Sequence, residues 1–347
     1  MRSLFAVLAS AGIVKARTKG ERVQRSGAEP HGGARVVTAA VVIALAASAV
    51  SQSEAAPGLP PAACRAIPQI STHQFPDSPS ITNPFLPMAP GMQFVYDGVV
   101  FVDRHPHPHQ IVSTITDLTK IVDGVRTMVV FEQDFQDGVL EESELFFAAQ
   151  DVDGTVWHVG EYPEVYTNGQ LSGAPDTWLS GVEGASAGID MPAVPHRGDI
   201  IVQGYSPMIQ FWDCARFVRL HTRHCIPSGC YRNVAVTNEF APYDPAGGHQ
   251  LKYNAPGVGT IAARPLGDPL PETITLTSAG FLCPSAMDAI RQETLAQDQR
   301  AYQVASRVYA GSPPAAQTLR AGTPADPARP CSRSRGPASR SWMGCSR

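Results

Sequence analysis

Residues 111–131 read IVSTITDLTKIVDGVRTMVVF, and this stretch decides the fold class. β-Branched residues dominate on both sides of Asp123-Gly124, a composition that favours strands over a helix. Asp-Gly suits a two-residue hairpin turn because both central positions take a positive φ. The stretch therefore predicts a β-hairpin. Similar dipeptides occur at Asp97-Gly98, Asp137-Gly138, Asp153-Gly154 and Asn168-Gly169.

Strand-like segments continue along the chain on both sides of a looser, Gly- and Pro-interrupted stretch at 173–198. They cover residues 144–148, 155–159, 200–203, 215–220, 231–237, 250–253, 259–262 and 272–276. No helical pattern alternates with them, which excludes an α/β fold with a parallel sheet. The sequence predicts a mostly β fold, an antiparallel meander that forms a curved sheet or barrel-like body over residues 76–283.

One C-terminal α-helix is predicted over residues 284–310, where Ser285 and Asp288 form a capping-box pattern. Leu295, Tyr302 and Tyr309 recur every seven residues and form a narrow apolar stripe, which predicts a helix packed on the β domain. We expect the polar remainder to face water: Arg291, Gln292, Glu293, Gln297, Asp298 and Arg300. Residues 311–347 are predicted to be a disordered basic tail because they hold few large apolar residues.

Composition and charge exclude several classes of protein. The 347 residues are 43% hydrophobic and 17% charged, which excludes a wholly disordered chain. The net charge is −4, yet basic residues concentrate in 1–35 and 315–347, so the body between them is acidic. An acidic body repels a phosphate backbone, and we therefore expect no nucleic-acid partner.

Residues 36–50, VVTAAVVIALAASAV, follow Arg35 and lead into small residues, which are the parts of a secretory signal. The sequence predicts a basic N-terminal extension at 1–35, a signal peptide or membrane anchor at 36–56 and a linker at 57–75. The protein is expected to be exported. A membrane would be contacted only through residues 36–56, if this segment stays uncleaved.

Seven cysteines in an exported chain indicate disulfides. Cys225 and Cys230 enclose a Pro- and Gly-containing turn and are predicted to form one bridge. Zinc ligation would require a second close pair of cysteines, and the sequence has none. Pairing stays open for the other five, which are Cys64, Cys214, Cys283, Cys331 and Cys345.

His105, His107 and His109 alternate with two prolines and form a candidate metal site, since imidazole is a common metal ligand. A polyproline conformation would point the three rings in different directions, which disfavours one shared metal ion. Proline also excludes a central strand, so this segment is predicted to be a hairpin loop or a sheet edge.

A second candidate site combines aromatic and ionisable side chains of the kind that line ligand pockets. Its members are Trp157, His158, Tyr162, Tyr166 and Trp178. Two motif-like matches are rejected. Gly184–Gly188 places Ser186 in a nucleophile-elbow pattern without the flanking strand and helix, and the calcium-loop spacing that starts at Asp151 fails at its later positions.

Several longer segments resemble a group of uncharacterised bacterial secreted proteins. They are NPFLP (83–87), PGMQFVY (90–96), TDLTKIVDGV (116–125), AQDVDGTVWH (149–158), GEY (160–162) and YNAPGVG (253–259). The resemblance spans about residues 80–310. It implies an exported, β-rich protein and supplies no activity or catalytic residue.

The sequence thus favours an exported, non-catalytic β protein that binds an apolar or amphipathic small molecule, with no cofactor. One alternative is a metal-assisted hydrolase that uses the His-Pro-His-Pro-His segment, and another is a cell-surface interaction module. The identity of the ligand, any partner protein and the oligomeric state stay open.

Overall fold

A computed structural model describes residues 61–76 and 79–322 of the chain. The predicted basic extension, the predicted signal or anchor and residues 323–347 of the predicted tail lie outside the described residues. In the described part of the chain, no helix is both long and apolar enough to cross a bilayer.

Antiparallel strands form nearly all of the described chain. They are β1 (Met92–Val102), β2 (His105–Val122), β3 (Val125–Gln136), β4 (Val139–Gln150), β5 (Val156–Thr167), β6 (Gln170–Gly173), β7 (Trp178–Leu179), β8 (Ser186–Met191), β9 (Ile200–Ser206), β10 (Phe211–Ile226), β11 (Gly229–Phe240), β12 (His249–Ala255), β13 (Gly259–Leu266), β14 (Glu272–Phe281) and β15 (Ala316–Gln317). Helix α1 (Pro284–Val304) follows β14, and a single turn, α2 (Ser306–Tyr309), follows α1.

The strands close into a barrel. Within the described residues, twelve strands pair in the order β1-β14-β13-β12-β11-β10-β9-β8-β5-β4-β3-β2, and β2 pairs back to β1. Strands β6 and β7 pair with β5, and β15 pairs with β2, but none of the three is a member of the twelve-stranded ring. The predicted fold class, a mostly β meander with one C-terminal helix, is confirmed.

Most of the predicted hairpin turns lie where the sequence places them. Asp123-Gly124, Asp137-Gly138 and Asn168-Gly169 take positive φ at both residues. The prediction for Asp97-Gly98 is wrong, because these residues lie inside β1. Gly98 is needed there for close approach, since a Cβ at this position would lie 1.6 Å from the carbonyl oxygen of Thr273 on β14.

Two apolar cores lie on opposite faces of strands β2–β5. On β3, Met128 and Val130 belong to the core inside the barrel, whereas Val129 and Phe131 belong to a core on its outer face. This alternation explains why these strands are apolar along their whole length. Both faces are covered, so the residues do not alternate between apolar and polar as in a sheet with one wet face.

Helix α1 and the turn after it cover the outer core through Leu295, Tyr302 and Tyr309, as predicted, but the docking face also includes polar residues. Leu295 and Tyr302 are only half-buried, while Thr294, Gln297 and Asp298 are fully buried. The expectation that Gln297 and Asp298 face water is therefore wrong. The helix docks through hydrogen bonds as well as apolar contacts, because the strands beneath it present polar groups that match its own.

Lys120 on β2 is the centre of this polar docking. Its ammonium group is fully buried and donates hydrogen bonds to Asp298 (2.9 Å), to the hydroxyl of Tyr302 (3.0 Å) and to the carbonyl oxygen of Pro313 (2.8 Å). It also lies 4.2 Å from the ring centre of Tyr309. Burial lowers the pKa of Lys120, and Asp298 opposes that effect.

Further ion pairs hold the helix along its length. Arg291 pairs with Asp117 (2.8 Å), and Arg300 pairs with the fully buried Glu164 (2.7 Å). Gln297 donates a hydrogen bond to the backbone of Ser143 (2.6 Å). Charged groups on the barrel thus meet matched partners on the helix, which fixes its position on strands β2–β5.

The ordered body extends beyond both boundaries predicted for it. The predicted linker at 57–75 contributes Cys64, which is disulfide-bonded to Cys214, and Phe75, which packs against Trp157. The part of the predicted disordered tail that the structure describes, 311–322, packs on the barrel. It forms β15, and the backbone N–H of Ala315 donates to Asp298 (2.9 Å). Composition did not predict this packing, because both segments consist mostly of small and short polar residues.

Two disulfides lie in the described residues. Cys225–Cys230 closes the β10–β11 hairpin with a Cα–Cα distance of 4.0 Å, which confirms that prediction. Cys64–Cys214 spans 150 residues of sequence, with a Cα–Cα distance of 6.0 Å. Cys283 is buried directly before α1, and Cys331 and Cys345 lie outside the described residues.

We predict that truncation after Ser312 destabilises the protein by at least roughly 2 kcal/mol. The cut removes the Pro313 carbonyl from Lys120 and the Ala315 N–H from Asp298, so it leaves two buried charged groups with fewer hydrogen bonds. Truncation after Gly322 keeps these contacts and is the matched control. Denaturant unfolding of the two truncated proteins measures the difference, and equal stabilities would show that residues 313–322 do not contribute.

Candidate functional site

Part of the barrel's inner face is polar and carries buried carboxylates. Side chains alternate along a barrel strand, so Asp134 shares the inner face of β3 with Met128 and Val130. We call this region the acidic end of the lumen. Its carboxylates are Asp134 on β3, Glu142 on β4, Glu161 on β5, Asp190 on β8, Glu239 on β11 and Glu272 on β14. Facing them are the basic side chains of His109, His158 and Lys252.

All six of these carboxylates are buried, which is unusual without matching positive charge. Glu132, Glu144 and Asp213 lie on the same inner face and extend the acidic end. Burial, and after it the nearby carboxylates of Asp134 and Glu161, raise the pKa of Glu142 well above its ordinary value. The acidic end thus favours protons or other cations.

The three predicted metal-binding histidines begin strand β2. Residues 105–108 pair only with β1, because pairing with β3 starts at His109 opposite Gln136. The two prolines therefore lie in an overhanging edge, where a missing backbone N–H is tolerated. The expected polyproline geometry is wrong. In a strand, residues two apart share a face, so the three rings point to one side and run from the exposed His105 to the buried His109.

His109 is held between two carboxylates. Its Nε2 lies 2.5 Å from Asp134, and its Nδ1 lies 3.2 Å from Glu272. Burial alone would lower the pKa of His109, but the hydrogen bonds and charges of Asp134 and Glu272 outweigh it and raise that pKa to about 10. His109 is therefore a cation at neutral pH, and each of its ring nitrogens faces a carboxylate.

The other two histidines of this segment do not join His109 in a metal site. His107 pairs with Asp137 at 2.7 Å near the surface, and His105 is exposed. Across residues 61–76 and 79–322, no three His, Cys, Asp or Glu side chains are placed to hold one metal ion. The metal-assisted hydrolase stays a prediction, and the positions of the three histidines do not favour it.

The predicted aromatic cluster is divided between the two faces of β5. His158 and Trp178 come together inside the barrel, with ring centres 4.7 Å apart. Trp157, Tyr162 and Tyr166 lie on the outer face. A register shift near Gly160 sets this division, because a bulge reverses the inward and outward positions that follow it.

The outward members of the cluster have structural partners. The hydroxyls of Tyr162 and Tyr166 each donate to Glu164 at 2.8 Å, beside the Arg300 guanidinium that anchors α1. Trp157 donates its indole N–H to Asp151 at 2.9 Å. Tyr162 and Tyr166 thus contact the ion pair that anchors the helix, and Trp157 contacts the β4–β5 turn.

The inward members line the lumen. His158 stacks on Phe146 with ring centres 4.2 Å apart, and Glu161 lies 3.4 Å from its Nε2. Trp178 is 1% exposed, and its indole N–H has no hydrogen-bond partner among the described residues. A buried indole donor without an acceptor is rare, since buried polar groups are almost always hydrogen-bonded.

Asp190 borders a small cavity inside the barrel that is lined by residues of β8, β9, β11, β12 and β13. The cavity has a volume of about 20 Å³, which is room for about one water molecule. Its lining residues include Leu86 and Met191 on the apolar side and Gln203, Thr237, Glu239 and Lys252 on the polar side. The cavity therefore lies where the apolar and acidic parts of the lumen meet.

Glu239 and Asp190 differ in how their charges are satisfied. Glu239 pairs with Lys252 at 3.1 Å and accepts a hydrogen bond from Thr237 at 3.1 Å. The Oδ2 atom of Asp190 has no hydrogen-bond partner among the described residues, although this residue is only 8% exposed. Burial raises the pKa of Asp190 to about 6, and His158 and Lys252 oppose that shift.

A separate groove of about 260 Å³ lies outside the barrel between α2, the residues around β7 and the β9–β10 turn. Its apolar lining includes Val182, Met208 and Val308, and an ion pair between Arg307 and Glu183 borders it. Trp178 borders this groove as well as the lumen.

Sequence reasoning did not find the lumen carboxylates. Acidic residues in a strand are normally assigned to the solvent face. Only their alternation in phase with apolar residues, as in Glu142, Glu144 and Phe146 of β4, could have placed them inside.

Comparison with known proteins adds little to this geometry. No protein-family model matches the chain, and no curated protein matches it. Among solved structures, a Bacteroides fragilis protein described as exported with a YmcC-like fold is 13% identical. It covers 56% of this chain and 98% of its own, with a TM-score of 0.34. A Parabacteroides distasonis protein described as a lipoprotein is 10% identical and covers 57% and 99%, with a TM-score of 0.32. Likenesses at this level establish neither a common fold nor a common function.

We predict that Asp190→Asn stabilises the protein at pH 7 by on the order of 2–3 kcal/mol. The native pKa of Asp190 is raised to about 6 from an ordinary value near 3.8, so the native state binds the proton more tightly than the unfolded state. This contribution to stability is therefore lost as the pH rises from about 4 through 6. Denaturant unfolding between pH 4 and 8 measures it.

The variant lacks this titrating group, so its stability curve should be flatter over that range. Asp153→Asn, at an exposed turn, is the matched control and should follow the parent chain. A less stable Asp190→Asn variant at pH 7 would mean that the carboxylate has a stabilising partner.

Proposed function

We propose that this protein is an exported, non-catalytic barrel that binds an amphipathic small molecule in its lumen. One observation carries the proposal. The inner face of a closed ring of strands is divided into an apolar part and a carboxylate-lined part, and the cavity beside Asp190 lies at their boundary.

The strand number of the barrel supports a ligand inside it, and a ligand larger than the cavity of about 20 Å³ would displace side chains of the apolar core. An eight-stranded barrel is just wide enough for its side chains to fill or for one small ligand, and the diameter grows with strand number. The ring of this protein has twelve strands in the described residues. Ligand pockets combine a mostly apolar lining with a few placed polar groups, and this lumen offers both.

The protonation state of His109 supports binding rather than catalysis by this residue. A general base must be able to accept a proton near the working pH. His109 is already charged at neutral pH and is held by Asp134 and Glu272. The geometry gives it the role of a fixed charge that stabilises the acidic end.

The disulfides support an extracytoplasmic location. Structural disulfides persist in oxidising compartments and are rare in the cytosol. Cys64–Cys214 joins two fully buried residues, and Cys225–Cys230 closes an exposed hairpin. The apolar segment 36–50, which predicts export, lies outside the described residues.

We predict that the mature chain begins between about Val50 and Pro57. N-terminal sequencing of protein recovered from outside the cytoplasm measures this directly. A soluble exported chain that still begins at Met1 would contradict it.

We predict that n-octyl compounds bind the exported protein and change the fluorescence of Trp178. Trp178 lines the lumen, whereas Trp157 and Trp212 lie on the outer face. Titration with 1-octanol, octylammonium and octyl sulfate should therefore produce a signal that Trp178→Phe removes and Trp212→Phe keeps. Native mass spectrometry gives the stoichiometry.

The external groove provides the control. Met208 is 51% exposed and lines the groove, so Met208→Lys should leave binding unchanged if the ligand lies in the lumen. If none of the three octyl compounds binds, the proposed function is wrong. If Met208→Lys abolishes binding, the ligand site is the groove and not the lumen.

A further inference from the structure

We propose that the acidic end of the lumen selects a ligand with a primary ammonium group, which binds the carboxylate of Asp190. This inference rests on the proposed function and names the chemical class of the ligand. It would make the protein a receptor for an alkylammonium-type molecule, with its chain in the apolar part of the lumen.

The pairing of charges in the lumen leaves Asp190 Oδ2 without a direct partner among the described residues, and His158 and Lys252 act on its charge without a hydrogen bond to that oxygen. His109 is shared by Asp134 and Glu272, His158 faces Glu161, and Lys252 pairs with Glu239. Carboxylates outnumber basic groups in this set, and an isolated buried charge is costly unless it is paired. A cationic ligand supplies the missing partner.

The oxygen that would accept the ammonium group is already in place. Asp190 Oδ2 is buried, has no hydrogen-bond partner among the described residues and borders the cavity. Gln203, Thr237 and Asn254, whose side chains carry acceptor oxygens, line the same cavity. An ammonium group has three N–H donors and accepts no hydrogen bond, so this set of acceptors matches it.

Size and surroundings favour a primary ammonium group over other cations. A cavity of about 20 Å³ holds one water-sized group, which fits an ammonium head and is too small for a planar guanidinium. A transition metal would need several convergent ligands, and the described residues place no such group of three. Leu86 and Met191 border the cavity on its apolar side, and an alkyl chain attached to the ammonium group would displace these side chains.

The experiment compares three probes that share an eight-carbon chain and differ only in the head group. Octylammonium, 1-octanol and octyl sulfate are titrated into the exported protein by calorimetry at pH 7.5. We expect octylammonium to bind at least about tenfold more tightly than 1-octanol, and octyl sulfate to bind most weakly.

Asp190→Asn should weaken octylammonium binding at least about tenfold and leave 1-octanol binding unchanged. The same variant is expected to be more stable than the parent chain, so lost binding with retained stability cannot be attributed to misfolding. The exposed control Asp153→Asn should bind all three probes like the parent.

A second variant tests the site independently. Gln203 borders the cavity beside Asp190 and Glu239, so Gln203→Lys would place an ammonium group of the chain itself there. It should abolish the preference for octylammonium and retain 1-octanol binding.

The outcomes separate the two proposals. Equal binding of octylammonium and 1-octanol, or an unchanged octylammonium affinity in Asp190→Asn, would overturn the ammonium site and leave the amphiphile-binding function standing. Absence of binding by all three probes would overturn the function itself.

Discussion

The pairing of β1 with β2 is the constraint on which the rest of the structure depends. This hairpin runs from Gln93 opposite Thr114 to Val102 opposite His105 and joins the first strand of the ring to the last. Without it, the sheet would be open and present two unpaired edges. Closure creates an inside and an outside, and every later assignment of a side chain to lumen or surface follows from that division.

Closure also explains where the helix lies. A closed barrel still leaves the outer face of β2–β5 apolar, so α1 and the residues after it cover that face. Lys120 and Asp298 fix α1 in one position on the barrel. Breaking a buried ion pair costs far more free energy than a small displacement of an apolar contact. Polar residues on the buried side of a helix thus provide specificity of docking, while the surrounding aromatic rings provide the apolar contact.

The fold class could be predicted from the sequence. Which side chains lie on the inner face of the barrel and which on its outer face could not. Turn dipeptides and β-branched runs predicted an antiparallel barrel-like body, and the short spacing of Cys225 and Cys230 predicted their bridge. The turn predicted at Asp97-Gly98 was wrong. Gly98 lies inside a strand, where β14 comes so close that there is no room for a Cβ atom. The register shift near Gly160 divided an aromatic cluster that looks continuous in sequence. The lumen carboxylates come from strands far apart in the chain, and only closure brings them together.

Each of the two described disulfides joins cysteines that are consecutive in the sequence. Cys64, Cys214, Cys225 and Cys230 pair as neighbours in chain order, the first with the second and the third with the fourth. A chain that is oxidised while it emerges through a membrane, N-terminus first, therefore meets each correct partner as the next thiol to arrive. Cys283 follows only after both pairs can close. Native connectivity can thus form by sequential oxidation, without a step of disulfide isomerisation.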